Sequence, residues 1–232
     1  MRGGLITDVT GHPAAPDLIE RPRLRGILHL AAFPLSLVAG VVLIASANSV
    51  AARVSSAVYA ASASVLFGVS ALYHRGRWST RARALMQRLD HSNIFVLIAG
   101  TYTPVAVLLL TGGARIAVLA VVWGGAVTGV ILRVVWRSAP RWLFIPLYIT
   151  LGWVAVAVMP SLLERGGATL TLLLVIGGVT YTAGAIIVAL HRPDPAPRVF
   201  GYHEVFHLMT LGGYGLHYAA IVLAVLATGT GT

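Results

Sequence analysis

Of the 232 residues, 57% are hydrophobic and only 10% charged, and the mean hydropathy is +0.84. About a quarter of the residues in an ordinary soluble domain are charged, so a water-soluble globule is excluded. The formal net charge is +10, all 17 basic residues being Arg. Such a balance marks either a nucleic-acid-binding face or loops beside a membrane, and the positions of the Arg residues decide for the second.

A transmembrane helix needs about 20 mostly apolar residues. Seven runs meet that length in chain order: Ile27 to Ser46, Val54 to Tyr73, Asp90 to Leu110, Ile116 to Val135, Trp142 to Pro160, Ala168 to Leu190 and His203 to Thr228. The loops between them are too short to fold alone. The expectation is therefore an all-α integral membrane protein of seven transmembrane helices, a single domain over residues 27–232. Met1 to Gly26 is a polar segment holding Pro13, Pro16 and Pro22, expected to be cytoplasmic and partly disordered. The first apolar run is full length and lacks a small-residue cleavage site behind a short core, so no signal peptide is expected to be removed.

Arg is retained on the cytoplasmic side in short loops, and here its distribution alternates. Four precede the first span (Arg2, Arg21, Arg23, Arg25), five lie in the second loop (Arg75, Arg77, Arg81, Arg83, Arg88), three in the fourth (Arg133, Arg137, Arg141) and two in the sixth (Arg192, Arg198). The opposite loops hold only Arg53, Arg115 and Arg165. The N-terminus is thus expected inside and the C-terminus outside, and adding or losing a span would scramble the asymmetry. With no Cys in the chain, any metal must be held by His, Asp or Glu.

An ionisable side chain inside a span is costly and by default marks a function. His74 ends the second span in Ser70-Ala-Leu-Tyr-His74, Asp90 and His91 open the third, and Tyr202-His203-Glu204-Val-Phe-His207 opens the seventh. In the topology above, all of these ends lie on the Arg-rich side at one depth. Residues four apart on a helix differ by roughly 40° in azimuth and about 6 Å along the axis. His203 and His207 therefore present two imidazoles to one point, and Ser70 and His74 a hydroxyl and a ring. Two His from one helix and a third from another form the ligand set of a catalytic zinc, which keeps its fourth position for water. Asp90 is then placed to accept a hydrogen bond from that water or to orient a ligand. His29, His91 and His191 read instead as interfacial or hydrogen-bonded residues, and His12 carries no signal. His217, fourteen residues beyond His203, either lines a cavity or packs.

The string His203-Glu204-Val-Phe-His207 also matches HExxH, in which the Glu is the general base of a metalloprotease. Such a protease needs a further downstream ligand, for which His217 is the one ionisable candidate other than Tyr, and it leaves Ser70, His74 and Asp90 unexplained. An intramembrane protease is therefore the second zinc reading, distinguished by Glu204. Gly112-Gly113, Gly166-Gly167 and Gly212-Gly213 fit turns and close helix approach. Trp123, Trp136, Trp142 and Trp153 fit an aromatic belt, and Pro34, Pro104 and Pro146 mark kinks or openings in their helices.

Taken together, Ser70-x3-His74, the run Leu89-Asp90-His91-Ser92-Asn93-Ile94-Phe95 through Ala99-Gly100-Thr101-Tyr102-Thr103-Pro104, and His203-x3-His207 resemble the hemolysin III branch of the progestin and adipoQ receptor family. The likeness runs from roughly Arg25 to the C-terminus. It implies a seven-helix fold with the N-terminus inside, opposite to G-protein-coupled receptors. It also implies a zinc ion held by His74, His203 and His207, with Ser70 and Asp90 near the metal-bound water. The related alkaline ceramidases hydrolyse lipid amides, and the bacterial branch is associated with cytolysis and with membrane lipid homeostasis. The expectation is a zinc-dependent hydrolase of a lipid amide or ester in the plasma membrane, the inner membrane of a bacterium. Its partners would be membrane lipids and a lipid substrate, not nucleic acid; the oligomeric state is left open. Two rival classes use the same helices. One is a receptor-like protein in which zinc is a structural clip. The other is a cytolytic pore or channel, for which the outer halves of the spans, mostly Val, Leu, Ala and Gly, offer no polar stripe.

Overall fold

A computed structural model describes residues 22–136 and 141–227. The polar segment up to residue 21, Arg137 and the end of the last apolar run at Thr228 lie outside the described residues. Nothing in a bilayer can satisfy a bare N–H or C=O, so an apolar chain that crosses one folds into segments that bond internally, and a helix does so alone. The chain obeys: α1 (Ile27–Ala45), α2 (Val50–Arg75), α3 (Thr80–Leu109), α4 (Gly112–Val135), α5 (Arg141–Gly152), a 3₁₀ segment (Val154–Val158), α6 (Met159–Leu190) and α7 (Tyr202–Ala227). No strand occurs among the described residues beyond one isolated bridge, Ala196 to Phe200. Six helical stretches are long and apolar enough to cross a membrane: α1, α2, α3, α4, Leu143–Leu190 and α7.

Two elements depart from the apolar runs. The third helix begins at Thr80, so Asp90 and His91 do not open it but sit a third of the way along. Its first ten residues alternate Arg with Ala, Leu, Met and Gln, all good helix formers, and Ser79 caps the start by accepting the Ala82 N–H at 3.4 Å. Hydropathy marks where a helix enters lipid, whereas propensity and capping carried this helix beyond that boundary.

The run Trp142 to Pro160 is the second departure, because it is not one helix. α5 stops at Gly152, the backbone tightens into the 3₁₀ segment, and α6 restarts with Pro160 in its first turn. Pro160 lacks an N–H and is tolerated in the first turn of a helix, where that N–H would go unbonded, and Val154, Val156 and Val158 are stiff β-branched residues. The groups released at the break are taken up by one side chain. The Tyr102 hydroxyl donates to Gly152 O at 2.7 Å and accepts the Ala155 N–H at 2.7 Å. Further on, Gly167 interrupts α6 with φ 75° and ψ 172°. Trp153 Nε1 donates to Thr182 Oγ1 at 3.0 Å, pairing residues that stand almost equally far before and after Gly167.

Helix packing uses small residues and interhelical hydrogen bonds, as expected where lipid offers no hydrophobic drive for helices to associate. The Ser36 and Ser64 hydroxyls meet at 3.1 Å between α1 and α2. A Cβ on Gly40 would lie 2.6 Å from Ala60 Cβ, and one on Gly100 would strike Ser62. α3 is central, packing against α2, α4, α5, α6 and α7. The outward faces are apolar, with Leu35 68%, Ile116 70% and Val135 73% exposed. An apolar surface of that extent belongs against lipid, and the chain is a helical multi-pass membrane protein.

Candidate metal centre

The start of α7 brings the site together, and its local chemistry is that of a helix terminus. Gly201 precedes the first helical residue, and Glu204 at the third position returns its Oε2 to the Gly201 N–H at 2.9 Å, one half of a capping box. Asp194 Oδ1 takes the Tyr202 N–H at 2.9 Å. The other oxygen of Glu204 pairs with Arg25 Nε at 3.0 Å, and Glu204 is 1% exposed. Both carboxylate oxygens are thus committed to structure, which argues against Glu204 as a free general base.

Arg25 belongs to a short strap, Pro22 to Gly26. The strap donates from Arg23 N to Arg198 O at 3.0 Å and from Leu24 N to Val199 O at 3.1 Å, docking on the loop between α6 and α7. Gly26 closes it with φ 76°, where a Cβ would stand 2.5 Å from His74 Cβ. Only glycine accepts both that backbone angle and that approach, so the strap presses directly on His74.

Under the strap the imidazoles of His74, at the end of α2, and of His203 and His207, one turn apart on α7, converge. One ring nitrogen from each lies within 4.8 Å of the others, and His74 Nε2 and His203 Nε2 are 3.1 Å apart. Two nitrogens bonded at 2.0–2.1 Å to a tetrahedral ion are about 3.3 Å apart, so the facing pair matches the spacing of a zinc edge. The His207 ring centroid lies 4.6 Å from that of His203 and 5.1 Å from that of His74. The donor set, three imidazoles and no thiolate, suits a transition metal such as zinc, copper, iron or nickel.

Asp90 and Ser70 reach the same place from α3 and α2. Asp90 Oδ2 is 3.8 Å from His74 Nε2, and both side chains are largely buried. Ser70, 2% exposed, lines the same cavity beside Asp90. All five residues named from the sequence as ligands or catalytic groups therefore share one cluster.

The other histidines divide. His91 turns away toward α4, its Nδ1 against Arg133, while its carbonyl accepts from Tyr148. His191 forms the left-handed cap of α6, edge-on to Tyr202. His217 fits the space left by Gly177 and contacts Leu174 O through Nε2 at 3.1 Å, and it also lines the cavity. His29 is not peripheral: it is 2% exposed and stacked on His207. Arg25 and His29 are the site residues the sequence reading passed over, and a titratable ring one turn into an otherwise apolar run was the signal available.

A cavity of about 660 Å³ opens from this cluster. Its polar end holds the histidines, Asp90 and Ser70, with Arg25, Arg83 and Arg133 also in its lining; the rest of its wall is mostly apolar, supplied by α3, α5 and α6. His207 and His217 both line it and lie ten residues apart on α7, so it reaches about 15 Å along the helix, half of a hydrocarbon core of ~30 Å.

Comparison with known proteins bears on most of the chain. The family described as haemolysin-III related matches residues 18–218. The chain is 31% identical to "Hemolysin-3" of Bacillus cereus over 197 residues, which covers 84% of this chain and 87% of that protein. It is 30% identical to the "Hemolysin-3 homolog" of Bacillus subtilis (strain 168) over 161 residues, 69% of this chain and 72% of the other.

Proposed function

Because the chain belongs to the haemolysin-III-related family, we propose that it is a zinc-dependent hydrolase of a membrane lipid amide or ester, working in the plasma membrane in lipid homeostasis. One observation carries the reading: a three-imidazole cluster of metal-ligand spacing sits beside a buried carboxyl at the polar end of a deep, largely apolar cavity. A site for a soluble substrate needs no apolar wall about 15 Å deep, whereas an acyl chain does.

His74, His203 and His207 would hold the zinc. When bound it supplies Lewis acidity and lowers the pKa of a coordinated water toward about 7. Asp90, on the flank of His74, takes the proton released in the attack on the acyl carbonyl. Ser70, beside Asp90, donates a hydrogen bond to the developing oxyanion. The apolar faces of α3, α5 and α6 hold the acyl chain and exclude water, and Arg25, Arg83 and Arg133 in the lining meet the anionic headgroups.

The rival readings fare less well on particular residues. The protease needs Glu204 free, and both of its oxygens are occupied by Gly201 and Arg25. A conducting pore needs a polar path to the far side, yet Leu43, Leu109, Ile221 and Val225, toward the C-terminal ends of α1, α3 and α7, are each no more than 4% exposed. A structural clip uses the same ligands, with Asp90 orienting His74, but has no use for the cavity. Reconstitution in vesicles containing a long-chain lipid amide separates it from the hydrolase: free fatty acid is released by the hydrolase and stops on chelation, whereas a clip loses thermal stability and releases none.

The same reading takes Leu143–Leu190 as two antiparallel crossings, giving seven spans with the N-terminus inside. As one straight helix its 48 residues would measure about 72 Å, more than twice the ~30 Å core, and the Trp153–Thr182 bond across Gly167 supports a reversal there. The absence of native Cys makes labelling clean. In intact cells an impermeant maleimide should modify Thr111→Cys and Ala168→Cys but reach Pro195→Cys only after permeabilisation. Equal labelling of all three in intact cells rules the topology out.

A further inference from the structure

His207 differs from an ordinary metal-binding histidine in what holds it. Such a ring almost always donates its second N–H to a carboxylate, carbonyl or water, and that bond fixes the ring plane. His207 Nδ1 is buried and makes no hydrogen bond among the described residues. Its face is covered instead. The His29 ring lies parallel to it, 3.7 Å between centroids and 13° between planes. Behind His29, Phe67 packs edge-on at 5.1 Å and 65°, and Phe67 is fully buried. A chain of rings from α2 through α1 therefore ends on a candidate ligand of α7.

Neither nitrogen of His29 has a hydrogen-bond partner among the described residues. Its lone pairs also cannot serve the ion that His207 would hold. Ring lone pairs lie in the ring plane, and two near-parallel planes 3.7 Å apart do not meet at one point. What His29 presents to the site is its flat face.

Resting on the metal-site reading above, we propose that His29 is a positioning residue: it fixes the ring plane of His207 by stacking, in place of the hydrogen bond that a ligand histidine normally makes. A ligand free to rotate about its side-chain bonds aims its nitrogen at the ion only part of the time. The stacked face removes that freedom before metal arrives. Loss of an orienting partner typically lowers metal affinity 10–100-fold, and the same loss is expected here.

Two variants separate the flat face from the nitrogens and from mere volume. His29→Phe keeps a planar ring without nitrogens, and His29→Leu fills the space without a planar face. Both are compared with the parent as full-length protein in detergent, checked for monodisperse elution and for melting temperature. Zinc affinity is read by competition with a chelating dye, and cobalt is used as a probe whose absorption bands report ligand geometry. His29→Leu should bind zinc roughly 10–100-fold more weakly and show altered cobalt bands, while His29→Phe restores both to parental values. Parental affinity and bands in His29→Leu overturn the proposal. So does weakening in His29→Phe equal to that in His29→Leu, because the nitrogens would then be what matters. If His29→Leu does not fold, His29→Phe still decides, since parental affinity is required of it. A parent chain that takes up neither metal sinks the metal site itself, a different failure from either variant result.

Discussion

Alanine at both His203 and His207 is expected to abolish zinc binding, taking elemental zinc in the purified protein from about one ion per chain to background. A zinc site needs at least three protein ligands, and the double variant leaves only His74. The effect is large because the affinity is cooperative across ligands: structural sites bind by about 10–16 kcal/mol in all, so losing two donors removes most of it. The fold should survive. The start of α7 is held independently by the Glu204–Gly201 and Asp194–Tyr202 hydrogen bonds and by the Arg25–Glu204 pair, none of which involves an imidazole. His217→Ala is the matched control, since that ring sits against Leu174 well below the cluster, and it should keep full zinc. Undiminished zinc in the double variant, with His217→Ala unchanged, would place the metal elsewhere and sink the site.

The second large effect is on turnover. Asp90→Asn preserves size and polarity but cannot accept a proton. General-base catalysis is worth about 10²–10⁴-fold, and hydrolysis of a lipid amide should fall by that range while zinc content stays at the parental level. Separating the two readouts matters because Asp90 lies 3.8 Å from His74. A variant that lost zinc along with rate would make Asp90 an orienting residue rather than the base. Turnover at the parental rate would remove it from the chemistry altogether.

Much of this site was legible before any coordinates, and for a physical reason. Arg is costly in lipid, so its loops assign each span an expected direction, and with that direction the scattered Ser70, His74, Asp90, His203 and His207 read as one layer. Helical periodicity then brings His203 and His207 to one point. Both steps use rules that hold residue by residue.

What escaped depends on tertiary partners. The extra turns of α3 before Asp90 are polar and invisible to a hydropathy scan, though Ser79 and the Ala- and Leu-containing run that follows were there to be read. The break after Gly152 is tolerated because Tyr102, fifty residues earlier, takes up its backbone groups, and no local pattern announces that. Glu204 looked like half of a protease motif; its role as a cap is local, but its pairing with Arg25 belongs to the folded strap. His29 fared worst, since a single ring near the end of an apolar run looks interfacial until His207 is seen stacked upon it.

The most direct measurement couples metal content to lipid chemistry in a single sample. The full-length protein, reconstituted in vesicles with a long-chain lipid amide, is assayed for zinc and for released fatty acid as the metal is stripped by a chelator and returned. A zinc hydrolase starts near one zinc per chain, loses product formation in proportion to zinc removed, and regains it when zinc is restored. Product release that persists in the stripped protein, or its complete absence at full zinc occupancy, would contradict the proposal.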